Sequence, residues 1–400
     1  MVVAAAIFGV SGTYQFVWST IRPELGIRIG ASEAGVGTVF TLFIIAQVLS
    51  QFPAGWIRDR FGPRLPLLVG GIGLGAGYIG LAQAGSVFEA YLFYTAGGIG
   101  SGMVYVVAIN TPVKWFDKRR GLATGIVGLM YGGLSVVLIP YIRRGVVTGF
   151  ENTVSMLGVG AGVTCLLAVL ILRDPREEES TSENTSEPPV DDSDNRPKTP
   201  ESTADLDSFT WSEMIRTWQF WLLYLVFIVV NGVGLMLISK IVGFASGIGL
   251  STTTGVRAAS LIALADGLGI VVGGWFSDYL GRERTTMITL TMCGISLAGS
   301  VLVGWMGHSE LFVVLVAVAA FFRSPVFAIF PALIGEYYGL SRSSQNYAAL
   351  FSGKLWGGVI GGTVASVLIV SFGWLLVFLT GAVLLITSGI ATYFLHPIST

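Results

Sequence analysis

The chain has 400 residues, 53% of them apolar and only 12% charged, with a mean hydropathy of +0.74. Soluble domains carry about 25% charged residues, so a water-soluble enzyme, a nucleic-acid binder and a secreted disulfide scaffold are excluded, and the chain reads as an integral membrane protein. The net charge of −1 hides a split: residues 174–213 hold 13 Asp/Glu against three Lys/Arg, and the remaining 360 residues carry +9.

A membrane helix needs about 20 mostly apolar residues. Twelve such stretches occur in chain order, at roughly 3–21, 34–57, 66–84, 88–110, 121–142, 153–172, 218–240, 255–276, 286–306, 311–335, 345–370 and 373–395. Unbroken apolar runs of this length predict helices and not a barrel. The first run begins almost at Met1, with no basic segment before it and no small-residue cleavage site after it. It is therefore expected to be a span and not a cleaved leader. Residues 173–212 are rich in Glu, Asp, Ser, Thr and Pro and are expected to form an acidic cytoplasmic linker, mostly disordered. The expected organisation is a six-helix bundle at 1–172, this linker, and a second six-helix bundle at 213–400. Cys165 and Cys293 lie in apolar stretches of opposite halves and read as packing residues.

The two halves echo one another. Gly55–Arg64 (GWIRDRFGPR) after the second stretch returns as Gly274–Arg282 (GWFSDYLGR) after the eighth, 219 residues later. Pro112 and Pro331 are also 219 apart, and Tyr131-Gly132-Gly133 returns as Trp356-Gly357-Gly358 at a spacing of 225. Three echoes at nearly one spacing imply a duplicated six-helix unit, as in many secondary transporters. Of the 23 Lys/Arg, 15 fall on one set of connections and five on the other. The positive-inside rule then puts both termini in the cytoplasm.

The other three basic residues, Lys240, Arg323 and Lys354, lie within apolar stretches. Asp266 lies about 11 residues into its stretch, Arg323 about 12 and Lys354 about 9, depths of roughly 14–18 Å in a core about 30 Å thick. A charge at that depth costs at least about 2.5–3.5 kcal/mol on insertion scales. Together the three point to a net-positive site for a small organic anion, with Asp266 as counter-ion or proton acceptor. The alternative is a bridge from Asp266 to Arg323 or Lys354 that only joins helices. Tyr14, Trp18, Tyr131 and Trp356 are further candidates for the substrate path. Lys240 and Arg22, near the outer ends of their stretches, read as interfacial. The glycine run Gly97–Gly102 lies inside an apolar span, which indicates helix packing and not a nucleotide loop. No Walker loop, metal-ligand cluster or catalytic triad is visible, so no enzymatic activity, cofactor or metal is expected.

The pattern Gly55-x-x-x-Asp59-Arg60-x-Gly62-x-Arg64 resembles the signature loop of the major facilitator superfamily at every fixed position, and Asp278 and Arg282 stand in its partial second copy. The resemblance covers the whole chain. It implies an all-α membrane protein of twelve transmembrane helices in two pseudo-symmetric six-helix bundles, with Gly55, Asp59, Arg60, Gly62, Arg64, Asp278 and Arg282 as a gating loop. Gly55 and Gly62 are expected to allow close helix approach. Trp115–Gly125, Gly234–Ser239 and Phe330–Leu333 with Tyr337-Tyr338-Gly339 resemble the oxalate/formate antiporter family and its monocarboxylate-transporter relatives. Lys354 stands where that family has a lysine in helix 11. The family's helix 8 arginine is replaced by Ile270, and the asparagine before it by Asp266.

The resemblance implies a secondary transporter of the cell membrane, functional as a monomer in the lipid bilayer. It would carry a small organic anion, a monocarboxylate in preference to a dicarboxylate, coupled to protons or to a counter-anion. Two alternatives stand beside it. A drug or metabolite exporter of the same fold would carry a Gly-Pro-rich motif in its fifth helix, which residues 121–142 lack. A membrane sensor would need a signalling domain, and the only long polar segment is acidic and of low complexity.

Overall fold

The computed structural model describes residues 1–115, 120–172, 209–339 and 343–396. They are helical almost throughout, with no strand among them. The amino-terminal half supplies α1 (Val2–Phe16), α2 (Trp18–Arg28), α3 (Glu33–Phe61), α4 (Arg64–Gln83), α5 (Val87–Trp115) and α6 (Arg120–Ile171). The carboxy-terminal half supplies α7 (Trp211–Met214), α8 (Trp218–Gly247), α9 (Thr252–Leu280), α10 (Arg282–Trp305), α11 (Ser309–Arg323) and α12 (Val326–Tyr338). It closes with α13 (Ser343–Phe351), α14 (Gly353–Val359), a π-helical turn at Ile360–Val364 and α15 (Ala365–Thr392).

Among the described residues nine helical segments are long and apolar enough to cross a membrane, and the pair α1–α2, bent by 50°, makes a tenth. Two of the ten are helical hairpins. In α6 the backbone leaves helical geometry at Gly149, and a methyl group at Gly145 would lie 2.5 Å from the Thr153 hydroxyl. Eight residues of straight helix would hold those positions about 12 Å apart, so the chain has turned back. In the last segment Gly373 has φ +80°, and Gly361 and Gly381, on either side of it, both pack on Met236 of α8. Counting each hairpin twice gives twelve crossings, the number read from hydropathy.

The internal repeat extends to the caps. The Ser32 hydroxyl accepts from the Gly35 N–H at the start of α3, and the Ser251 hydroxyl accepts from the Thr254 N–H at the start of α9. Side-chain caps of this kind satisfy amide groups that a helix start leaves open. The same two helices end on Gly62 and Gly281, with φ +77° and +86°, a region that residues with a Cβ enter at a cost. Both pairs are 219 residues apart, the spacing of the loop motif.

Of the breaks that interrupt the expected continuous spans, two lie near buried charges. Pro325, which has no amide hydrogen to donate, separates α11 from α12 and leaves Arg323 and Ser324 at a helix end in mid-bundle. The π-helical turn begins six residues beyond Lys354, at Ile360. The expected linker also ends earlier than residue 212. The Phe209 amide donates to the Tyr338 carbonyl at 2.9 Å, Asn346 donates to the Phe209 carbonyl at 3.0 Å, and Thr210 with Glu213 forms a reciprocal cap on α7. The linker at 173–208 lies outside the described residues.

The halves meet along two seams. In one, α3 lies against α14 and the π-helical turn: Thr41 Oγ1 donates to the Gly358 carbonyl at 3.1 Å and accepts from the Thr363 amide at 3.0 Å. In the other, α6 lies against α9, where a methyl group at Gly132 would stand 2.3 Å from the Ala263 carbonyl oxygen. These contacts run from mid-bundle towards the end that carries Arg22 and Glu33.

Candidate functional site

Lys354 is buried on α14 and is reached by a polar network from the other half. Its ammonium donates to Gln47 Oε1 of α3 at 3.1 Å. The Gln47 amide nitrogen donates to Ser101 Oγ at 2.8 Å and to the Tyr131 hydroxyl at 2.9 Å, and that hydroxyl donates to Gln15 Oε1 at 3.2 Å. Gln47 thus presents its carbonyl to the lysine because both amide hydrogens are engaged elsewhere. Tyr131 reaches the network because Gly12 lets α1 and α6 touch: a methyl group there would stand 1.7 Å from the Tyr131 carbonyl oxygen.

The other two mid-bundle charges neutralise each other. Arg323 Nη2 lies 2.5 Å from Asp266 Oδ2, and the Ser324 hydroxyl donates to Asp266 Oδ1 at 2.5 Å. Of the two bridges weighed from the sequence, the one between Asp266 and Arg323 is formed. The break at Pro325 places Arg323 at the C-terminal end of α11, where the helix dipole favours a cation. Gly234 of α8 gives its side chain room, since a methyl group there would stand 2.5 Å from Arg323 Cδ. Among the described residues no carboxylate oxygen lies within 4.0 Å of the lysine ammonium. The cluster therefore carries one positive charge in excess, on Lys354, in a setting where an unpaired charge is costly.

Three of the aromatic candidates lie elsewhere. The Tyr14 hydroxyl donates to the Leu74 carbonyl at 2.6 Å and its ring sits among Phe43, Tyr78 and Tyr94. Trp18 packs on Phe40 and Tyr94, fully buried. Both fill the core of the amino-terminal half: Tyr14 on α1 turns towards α3, α4 and α5, and Trp18 on α2 towards α3 and α5. Trp356 is two residues from Lys354, about 200° around the helix, and is 56% exposed on the opposite face. Of the four, only Tyr131 joins the network. Gln47, Ser101 and Ser324 are not singled out by the sequence; Gln47 and Gln51 are the two amides of an otherwise largely apolar run.

The loop residues divide. Gly62 serves a helix end with positive φ, as Gly281 does, while a methyl group at Gly55 or Gly62 would meet nothing among the described residues within 4 Å. The expected close helix approach at these two glycines is therefore corrected. Arg60 is exposed and lies over the rings of Trp56 and Phe61, and Arg64 is exposed. Arg282 lies 3.5 Å from Asp278 and pairs with Glu336 at the end of α12. The Asp59 side chain and the side chains of 112–125, which include the whole Trp115–Gly125 resemblance, lie outside the described residues.

Lys240 and Arg22 are not interfacial. Both are buried between the halves, where Arg22 pairs with Glu33 and Lys240 donates to Ser366 Oγ at 2.6 Å.

Comparison with known proteins agrees with this architecture. The oxalate:formate antiporter of Oxalobacter formigenes is 29% identical over 384 residues, 96% of this chain and 87% of the antiporter. Monocarboxylate transporter 11 of Homo sapiens is 26% identical over 162 residues, 39% of this chain and 34% of that transporter. A crystal structure of a D-xylose–proton symporter matches 99% of this chain and 97% of its own with a TM-score of 0.75 at 15% identity, which shows a shared fold. The profile of the Major Facilitator Superfamily matches residues 3–308 and 244–399. With nearly the whole chain covered by that match, the protein belongs to the Major Facilitator Superfamily, whose members are membrane transporters and not enzymes.

Proposed function

We propose that this protein is a secondary transporter that moves a small carboxylate, monoanions preferred, across the cell membrane by alternating access. The observation that carries the reading is the unpaired Lys354, buried between the halves and held by a neutral amide, while Asp266 and Arg323 cancel. A substrate carboxylate in place of the Gln47 carbonyl would exchange a neutral acceptor for a charged one, and charge-assisted hydrogen bonds are roughly twice as strong. Because Gln47 belongs to one half and Lys354 to the other, substrate binding and the contact between halves compete for the same ammonium. That competition is what alternating access needs. The two named relatives, an oxalate:formate antiporter and a monocarboxylate transporter, support an anionic substrate.

Asp266 is the candidate proton acceptor. Its protonation would release Arg323 and raise the positive charge of the cluster, so a proton and an anion would favour each other's binding. In this reading the Gly62 end, which carries the Lys/Arg-rich connections, and both termini face the cytoplasm, and the Arg22 end faces outside.

The test is uptake of labelled formate, acetate, lactate and oxalate into proteoliposomes holding the purified protein, with and without an inward proton gradient. Uptake of at least one monoanion above that of oxalate is expected. Oxalate transported better than every monoanion, at each pH, would contradict the charge count.

A further inference from the structure

Resting on that transport reading, we propose that Arg22 and Lys240 form a second, outer anion seat. Glu33 is its resident counter-ion, and an incoming carboxylate displaces it to part the two halves. Arg22 of α2 is 4% exposed and Lys240 of α8 is 1% exposed, whereas Glu33, the first residue of α3, is 32% exposed. Arg22 pairs with the Glu33 carboxylate, and Lys240 Nζ lies 4.0 Å from the same Oε1. Lys240 also donates to Ser366 of α15. One carboxylate is thus shared by a cation from each half.

With Lys240 protonated, the sharing leaves a positive charge over. Among the described residues no other carboxylate oxygen lies within 4.0 Å of either cation, and the nearby acids are committed: Glu24 to Arg143 at 3.1 Å, and Glu151 to Arg28. Two buried cations around one carboxylate lack compensation in a low-dielectric setting, and a second carboxylate completes the charge balance. Room for it exists. A cavity of about 380 Å³ lies beside Arg22 and Glu33, lined also by Gly26, Gly243 and Trp374; Lys240 is not part of its lining and meets it through the Glu33 carboxylate, 4.0 Å away.

The arrangement also joins the halves. A methyl group at Gly37 would stand 2.2 Å from Ser366 Oγ, so α3 and α15 touch immediately beside Lys240. An external carboxylate that takes over Arg22 and Lys240 removes the Glu33 link between the halves at the moment substrate is present. The outer end is then opened by the ion that is to enter, and stays latched without it.

The test reads opening and not transport. A cysteine replaces Ile44, which packs on Gly358 between this latch and Lys354. The native Cys165 and Cys293 are buried, and protein without the reporter sets the background. Intact cells receive a membrane-impermeant thiol reagent while sodium acetate replaces sodium chloride at constant ionic strength. The proposal expects acetate to raise the labelling rate, and to do so equally in a Lys354→Gln background, where the central site is lost. Glu33→Gln should lower the half-maximal acetate concentration by about tenfold, and Lys240→Gln should abolish the acetate response. An acetate effect that disappears with Lys354→Gln and survives Lys240→Gln would assign the response to the central site and overturn the outer seat. Absence of any acetate effect in the reporter protein, alongside normal acetate uptake, would overturn it as well. Absent uptake with an intact acetate effect would count against the transport reading alone.

Discussion

Asp266→Asn should turn a site selective for monoanions into one that accepts a dianion. Asparagine has the shape of aspartate and keeps an acceptor for the Ser324 hydroxyl, so the change removes charge and little else. At the observed 2.5 Å contact the charge centres are about 4 Å apart, where two unit charges attract by about 4 kcal/mol at an effective dielectric of 20. Losing that hold frees Arg323 to donate to substrate, and a hydrogen bond to a charged group contributes about 1.5–3 kcal/mol. For a dicarboxylate that bridges Lys354 and Arg323, this is about 10- to 150-fold in affinity. The assay is inhibition of labelled formate uptake by unlabelled oxalate and by acetate, at equal pH on both sides of the proteoliposome membrane. The ratio of the two inhibition constants should move towards oxalate by at least about tenfold. Thermal stability should fall, because Arg323 is left unpaired, and Asp266→Asn with Arg323→Gln should recover it while returning the preference to monoanions. An unchanged oxalate-to-acetate ratio in stable, monodisperse Asp266→Asn protein would refute the charge argument.

Other substitutions probe the network and the packing behind it. Gln47→Glu should place a permanent carboxylate on Lys354 and abolish formate uptake while raising or preserving the melting temperature, measured by a thermal-shift assay. Gly12→Ala should prevent folding or lower the melting temperature sharply, because its methyl group would overlap the Tyr131 carbonyl, whereas Gly55→Ala should leave it unchanged. Tyr14→Phe loses one hydrogen bond in the amino-terminal core and should cost about 1 kcal/mol of stability with the substrate profile intact. Tyr131→Phe should instead lower formate uptake, since it loosens the amide that faces Lys354.

Composition and periodicity were sufficient for the architecture, because a bilayer admits few solutions and each crossing leaves a run of apolar residues. The duplicated unit was legible for a related reason: helix ends need particular residues, and Gly62 and Gly281 had to recur where the backbone turns left-handed. Lys354, Arg323 and Asp266 were legible as costly charges at mid-depth. Their pairing was not, since three ions on three helices allow several partners, and the choice depends on the break at Pro325 that delivers Arg323 and Ser324 together to Asp266. Depth alone also misplaced Lys240 and Arg22. A position near a helix end reads as interfacial, yet both side chains turn inward to the other half. Tyr14 on α1 and Trp18 on α2 each have helix neighbours, Gln15 and Arg22, that belong to the networks reaching the other half, and only the direction of each side chain shows that they serve the core.

The most direct test of the central claim is exchange of labelled formate by proteoliposomes containing Lys354→Gln, compared with wild type and with Lys354→Arg. If the unpaired ammonium is the seat of the substrate carboxylate, Lys354→Gln should abolish exchange at unchanged protein level and melting temperature, and Lys354→Arg should retain a measurable part of it. Exchange at the wild-type rate by Lys354→Gln would contradict the account.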